Sequence, residues 1–246
     1  MITVIDTETT GLEPPATGDG VVEVAWVHAA SSPKEWSGWH QSLVKPSVPI
    51  EIQAMAAHHV TEAMIVSAPT LDTVLETLQY DVSGTYAAHN AEFDRKFLPP
   101  WLRDRRWICT WRCALHLWPD APTHSNQGLR YYLNLDVGDL PEEAGKSPHR
   151  ALYDAWVTAK LLERMLDVVK NSQDQGWADP DRDPVSVLLE LSTKPVLLKK
   201  IRFGKHAGSL FTDVPRDYLR WLTKQASMDR DVVHTAQTLL NADRIF

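Results

Sequence analysis

Asp6 and Glu8 stand two residues apart at the end of the apolar run in "MITVIDTETTGL". Residues i and i+2 of a strand project from one face, so two carboxylates are held side by side behind Ile2, Val4 and Ile5. Carboxylates that close repel one another, and the repulsion raises a pKa unless a cation lies between them. Two further segments offer an acid where an apolar element opens or closes. In "AAHNAEFDRKFL" Asp94 lies one turn into a helix that follows a buried strand; in "HRALYD" His149 precedes Asp154 at the start of another helix. Singly, each has an ordinary explanation: a solvated strand end, an acid favouring a helix N-terminus, a surface histidine. Together the carboxylates would make a poor core but a good cage for divalent metal. Hard oxygen ligands suit Mg²⁺ or Mn²⁺ rather than zinc. Two such ions about 3.5–4 Å apart can clamp a phosphodiester, one activating water and the other stabilising the leaving oxygen. His149 can accept the proton of the attacking water, since an unperturbed imidazole titrates at about 6.5. Its five-residue offset from Asp154 is awkward for a shared helix face and places it in the loop before the helix.

Strands and helices must bring these segments together. "ITVID", "VVEVAWVHA" and "WHQSLVK" read as three strands, and their short connections favour antiparallel pairing. A helical pattern runs from Ala54 to about Gln79, with Leu71, Val74, Leu75 and Leu78 on one face. "TYAAH" is a fourth strand, followed by a helix through Phe93, Phe97 and Leu98 that Pro99-Pro100 stops; "WICT" is a fifth. The clearest helix covers about 150–170. The segment "NSQDQGWADPDRDP" reads as a linker, and Asp183-Pro184 as N-cap and first position of the helix "VSVLLELS". The expected organisation is a catalytic domain over 1–171, a linker with a short helix over 172–193, and a small basic element over 194–246. The class is α/β with a mixed sheet.

Composition narrows the function. The chain has 246 residues, 43% apolar and 23% charged, and its longest apolar stretch, "VVEVAWVHAA", is too short and interrupted to span a bilayer. Met1 leads straight into the first strand without a basic leader or cleavage site, so a cytoplasmic protein is expected. Cys109 and Cys113 form no zinc pattern and read as buried free thiols; the ten Trp are scattered through apolar segments and read mostly as core. A net charge of −7 argues against a protein coated in nucleic acid. Yet Lys194 to Lys224 holds eight Lys/Arg against two Asp, a local balance of +6 that suits an anionic partner or a solvated basic face.

In this order, "DTETTGL", "AHNAEFD" and "HRALYD" resemble the three motifs of the DEDDh 3′–5′ exonucleases. That superfamily includes the proofreading subunit of bacterial DNA polymerase III, ribonuclease T and oligoribonuclease. The His-x4-Asp spacing marks its histidine branch; the tyrosine branch would need Tyr where Arg150 stands. The resemblance implies a ribonuclease-H-like fold, a mixed five-stranded sheet flanked by helices, and two Mg²⁺ or Mn²⁺ ions releasing nucleoside 5′-monophosphates from a 3′ end. It implies that Asp6 bridges both ions, Glu8 and Asp154 complete the catalytic metal site, Asp94 holds the second ion, and His149 is the general base. It also implies substrate contacts from Thr7, Thr9, Gly11, Leu12, His58, Thr61, His89 and Asn90, with Leu12 wedged against the last base. In "AAHHVT", His59 stands where the family usually has glycine.

The tail "FGKHAG…DVPRDYLRWL" resembles the accessory element of the exodeoxyribonuclease X group. This implies DNA, single-stranded or duplex, as substrate and DNA repair or replication as the setting, with repair or replication proteins as partners. Lys199, Lys200, Arg202, Lys205, Arg216 and Arg220 are candidate contacts to the DNA backbone, giving affinity without sequence preference. Two alternatives stay open: an RNA-trimming enzyme, because the motifs hold a phosphate common to both polymers, and a silent module that only binds 3′ ends.

Overall fold

A computed structural model describes residues 2–16, 19–29, 38–79, 84–145, 147–171 and 182–242. Five strands form one mixed sheet in the order β3-β2-β1-β4-β5. β1 (Ile2–Thr9) pairs antiparallel with β2 (Val21–Ala29), which pairs antiparallel with β3 (Trp39–Leu43). On its other side β1 runs parallel to β4 (Thr85–Ala88), and β4 to β5 (Arg106–Cys109). The first strand, read from the sequence as ending at Asp6, extends through Glu8 to Thr9. Alternation along β1 decides what meets what. Ile2 and Val4 enter one core with α8 (Ala151–Asn171), whereas Ile5 enters the opposite core with α3 (Leu71–Gln79) and α4 (Ala91–Phe97). Asp6 and Glu8 continue the α8 side, and Thr7 the α4 side.

The helical stretch expected over 54–79 is three pieces: α1 (Ile52–His58), α2 (Glu62–Ile65) and α3. His59 ends α1 with φ 60°, a left-handed conformation that halts the helix, and Pro69 intervenes before α3. Left-handed backbone costs an L-residue about 1–2 kcal/mol, which explains why glycine suits this position better than histidine does. Pro99-Pro100 ends α4 as expected, but Pro100 also opens the short α5 (Pro100–Arg103).

The remaining elements are α6 (Thr110–Leu117), α7 (Asn126–Tyr132), α9 (Pro184–Thr193), α10 (Arg216–Leu222) and α11 (Arg230–Ala242). Asp183 caps α9 through Val185 N–H and Ser186 N–H, as read from the sequence. Val187, Leu188 and Leu191 of α9 pack in the α8 core, and Ser192 Oγ accepts from Cys109 N–H at 2.8 Å. The linker segment 172–181 lies outside the described residues. Both cysteines are free and buried, and burial pushes the Cys113 thiol up to about 12.

Ile201, Phe211, Val214, Leu219, Leu222, Val232 and Ala236 form a separate small core at the C-terminal end. This unit holds α11 in addition to the turn and helix expected there. Arg112 clamps it to the body: Nη1 and Nη2 donate to Asp231 at 2.9 and 3.0 Å, and Nη2 also donates to Lys194 O. Among the described residues no helix is long and apolar enough to cross a membrane.

Candidate active site

A cavity of about 570 Å³ is lined by Asp6, Glu8, Asp94, His149 and Asp154. Thr7, Thr9, Gly11, Leu12, His58, His89 and Asn90 complete most of its wall. Each element delivers its side chain for a local reason. Thr7 faces α4, and its N–H and hydroxyl both donate to Asp94 Oδ1, at 3.0 and 2.8 Å. That fixes one acid against the strand that carries two others. At the opposite wall His149 adopts φ 63°, and the turned backbone aims its N–H at Asp154 Oδ2, 2.7 Å away. The awkward five-residue offset is thereby resolved: the main chain of His149 holds Asp154 while its imidazole stays exposed. Gln127 Nε2 donates to Asp154 Oδ1 at 3.0 Å, and Asn126 Nδ2 to the Asp154 carbonyl at 3.1 Å.

The electrostatics are those of an uncompensated acid cluster. Burial, followed by the fields of Asp94, Asp154, Glu8 and Glu23, raises Asp6 well above the usual carboxylate range. Burial and then Asp154 push Glu8 up to about 8. Asp94 is pushed up to about 7 by burial against the two bonds from Thr7, and burial also raises Asp154. The backbones of Asp6 and Glu8 pair in the strand ladder, but their carboxylates accept no hydrogen bond among the described residues. Glu8, His149 and Asp154 each present a donor atom within 4.8 Å of the others. Several hard oxygens with nothing to bond fit a divalent cation.

Between pH of about 4.5 and 8, Glu8 binds a proton when folded and loses it when unfolded, so raising the pH across that window favours unfolding. The melting temperature of the chain in EDTA should fall by several degrees between pH 5 and pH 8. Mg²⁺ or Mn²⁺ should restore it at pH 8, where the empty cage repels itself most. A melting temperature independent of both pH and cation would contradict this electrostatic picture.

The wall residues expected to meet substrate differ in what they can offer. Leu12 is 77% exposed at the cavity mouth. Thr9 Oγ1 donates to Gly11 O at 2.7 Å, and a Cβ at Gly11 would lie 2.5 Å from Oε1 of the exposed Glu51 side chain, whose flexible end would have to swing aside to admit it. His58 accepts from Val60 N–H at Nδ1 and donates from Nε2 to Thr9 O, which makes it a brace for the loop. His89 donates from Nε2 to His124 O at 2.9 Å and accepts from Thr110 at Nδ1; burial pushes it down to about 4. A neutral ring with both nitrogens engaged lines the cavity by its carbon edge. Asn90, left-handed at φ 68°, starts α4. Thr61 is not among the lining residues: it is exposed at the start of α2, beyond the left-handed turn at His59. Nor does any of Lys199, Lys200, Arg202, Lys205, Arg216 and Arg220 line it; all six lie on the C-terminal unit.

Sequence reasoning missed Glu23, the residue opposite Glu8 in the β1–β2 register. Its carboxylate is fully buried and accepts from Arg150 Nε at 3.0 Å, Arg150 Nη2 at 2.7 Å, Ala151 N–H at 3.0 Å and Gln41 Nε2 at 2.6 Å. Glu23 thus caps α8 and anchors the residue that follows His149. Its signal was a lone acid inside the apolar run "VVEVAWVHAA". Breaking a buried pair leaves an uncompensated partner, so Glu23→Ala should cost about 3–5 kcal/mol in urea unfolding. A loss below about 1 kcal/mol would show that the pair does not hold α8.

A family model described as Exonuclease matches residues 3–162. Together with the mixed sheet and the acid-lined cavity, this means that the chain belongs to the exonuclease family, as a 3′–5′ exonuclease of the DEDDh type with a ribonuclease-H-like fold. Divalent-metal use comes with that family. Over 225 residues the chain is 38% identical to Exodeoxyribonuclease 10 of Escherichia coli (strain K12), covering 90% of each. A DNA polymerase III subunit epsilon-like protein of Rhodobacter capsulatus is 33% identical over 174 residues, which span 68% of this chain and 24% of that one. Among solved structures, exonuclease X in complex with 5′ overhanging duplex DNA superposes with a TM-score of 0.59 at 38% identity, covering 74% of this chain and 98% of that one. The nuclease domain of 3′hExo, a DEDDh family member bound to rAMP, shares the fold with a TM-score of 0.53 at 19% identity, covering 68% and 91%.

Proposed function

We propose that this chain is a 3′–5′ exodeoxyribonuclease that removes nucleoside 5′-monophosphates from DNA 3′ ends, in the cytoplasm and in the service of DNA repair. The convergence of Asp6, Glu8, Asp94, His149 and Asp154 on one cavity carries this reading. The four carboxylates of Asp6, Glu8, Asp94 and Asp154 would hold two Mg²⁺ or Mn²⁺ ions. When bound, the ions neutralise the scissile phosphate, favour ionisation of the attacking water and stabilise the leaving oxygen. His149 accepts the water's proton, for which its exposed imidazole is free to approach and withdraw. The backbone around Thr7 faces the terminal sugar, and Leu12 at the mouth wedges beside the last base. Thr61, outside the cavity, contributes at most through the turn that positions His58.

DNA as the polymer is supported by the likeness to Exodeoxyribonuclease 10 over 90% of both chains and by the exonuclease X complex with duplex DNA. The basic C-terminal unit then meets the DNA backbone, chiefly through Lys200, Arg202, Lys205 and Arg220. Lys199 is paired with Asp120, and Arg216 donates to Leu240 O at 3.1 Å, so both are already engaged within the protein. Repair or replication proteins are the expected partners. Matched single-stranded DNA, duplex DNA and RNA, assayed side by side, test the choice of polymer. Faster release from DNA is expected; equal or faster release from RNA would overturn it.

A further inference from the structure

We propose that the C-terminal unit carries a stacking platform for unpaired bases, formed by Tyr218 and Trp221 on α10 with Lys205 beside the Tyr218 ring. This rests on the reading of the chain as a nucleic-acid enzyme, which explains why a strand is at hand. α10 has two faces. Leu219 and Leu222 fill the small core, whereas Trp221 is 47% exposed and completes no inner surface. Trp221 stacks on Tyr218 with centroids 5.2 Å apart and planes 28° from parallel.

The loop before α10 is shaped around that tyrosine. Gly204 has φ +64°, and a Cβ there would lie 2.7 Å from Tyr218 Oη. The next residue, Lys205, places Nζ 5.2 Å from the centre of the Tyr218 ring, and His206 meets the ring edge-on at 4.6 Å. The motif "GKH" thus converges with "YLRW" on one aromatic pair.

Charge selects the occupant. Lys200, Arg202, Lys205, Arg220 and Lys224 make no ion pair among the described residues, on a chain whose net charge is −7. Cations without an ion-pair partner, on the same unit as a flat exposed aromatic and one of them beside its stacked tyrosine, suit a ligand that is anionic along its backbone and flat in its side groups. A single strand of nucleic acid is both, and stacking accepts any base. An acidic protein would satisfy the cations but leave the ring face without a matching surface.

The test uses the full chain in EDTA, where hydrolysis is stopped, with anisotropy of labelled oligothymidylate and of an abasic strand of equal length. Trp221→Ala should weaken oligothymidylate binding about tenfold and leave its salt dependence unchanged, because stacking releases no counterions. Trp221→Phe should bind within about twofold of wild type, and Lys205→Gln should reduce the salt slope by about one. Trp221→Ala should bind the abasic strand as wild type does. Wild-type affinity of Trp221→Ala for oligothymidylate, or an equal loss on both strands, overturns the platform. Trp221→Gln repeats the comparison should the alanine variant melt early. Adding Mg²⁺ to the wild type tests the catalytic reading separately: base-dependent binding without mononucleotide release supports the platform and sinks that reading.

Discussion

Asp6→Asn should release mononucleotides at least about a thousandfold more slowly than wild type, yet melt at a higher temperature in EDTA. The two effects share one cause. Asp6 lies in the fields of Asp94, Asp154, Glu8 and Glu23, which together with burial raise its pKa well above the usual range. Removing its charge relieves that repulsion in the cation-free chain and replaces one of the carboxylate oxygens that would hold the divalent cations by an amide nitrogen, which is no ligand for them. Divalent cation, which should raise the melting temperature of the wild type, should raise that of Asp6→Asn much less. A variant inactive because it is unfolded would instead melt lower, so melting separates the two explanations. Activity within tenfold of wild type would remove Asp6 from the centre of the site.

His149→Ala should lower turnover by about 10²- to 10⁴-fold, the range of a general base, with affinity for DNA and Mn²⁺ close to wild type. The reason lies in the main chain. Asp154 is held by the His149 backbone N–H at 2.7 Å and by Gln127, and alanine keeps the first of these bonds. Alanine must still accept the left-handed backbone at φ 63°, so Asn, which tolerates that region better, is the companion replacement. The imidazole lies within 4.8 Å of donor atoms on Glu8 and Asp154, near enough to act as a ligand. Calorimetry with Mn²⁺ decides: a large loss of cation affinity in both variants would make His149 a ligand instead of the base.

Legibility in the sequence followed the range of the interactions. The acids of β1 were readable because a period of two is local, and the same alternation sends Asp6 and Glu8 toward α8 and Thr7 toward α4. Asp94 and Asp154 were readable as acids near helix starts, and their convergence was readable through the resemblance. Glu23 was not, because its purpose lies in Arg150 and Ala151, 127 and 128 residues away. The helix read over 54–79 failed for the opposite reason. The strong periodicity of 71–78 was extended backward across the left-handed turn at His59, whose histidine disguises a break that glycine would have announced. Helix α11 carried its signal in Val232 and Ala236, four apart, within a mostly polar segment. The silent-module alternative finds no support in the site, since none of the four carboxylates or His149 is displaced from the cavity.

The most direct measurement follows a DNA strand carrying distinct labels at its 3′ and 5′ ends, incubated with the purified chain and Mg²⁺. The 3′ label should appear first, as a nucleoside 5′-monophosphate, and EDTA should stop its release. Early loss of the 5′ label, internal cleavage, or release that continues unchanged in EDTA would contradict the account.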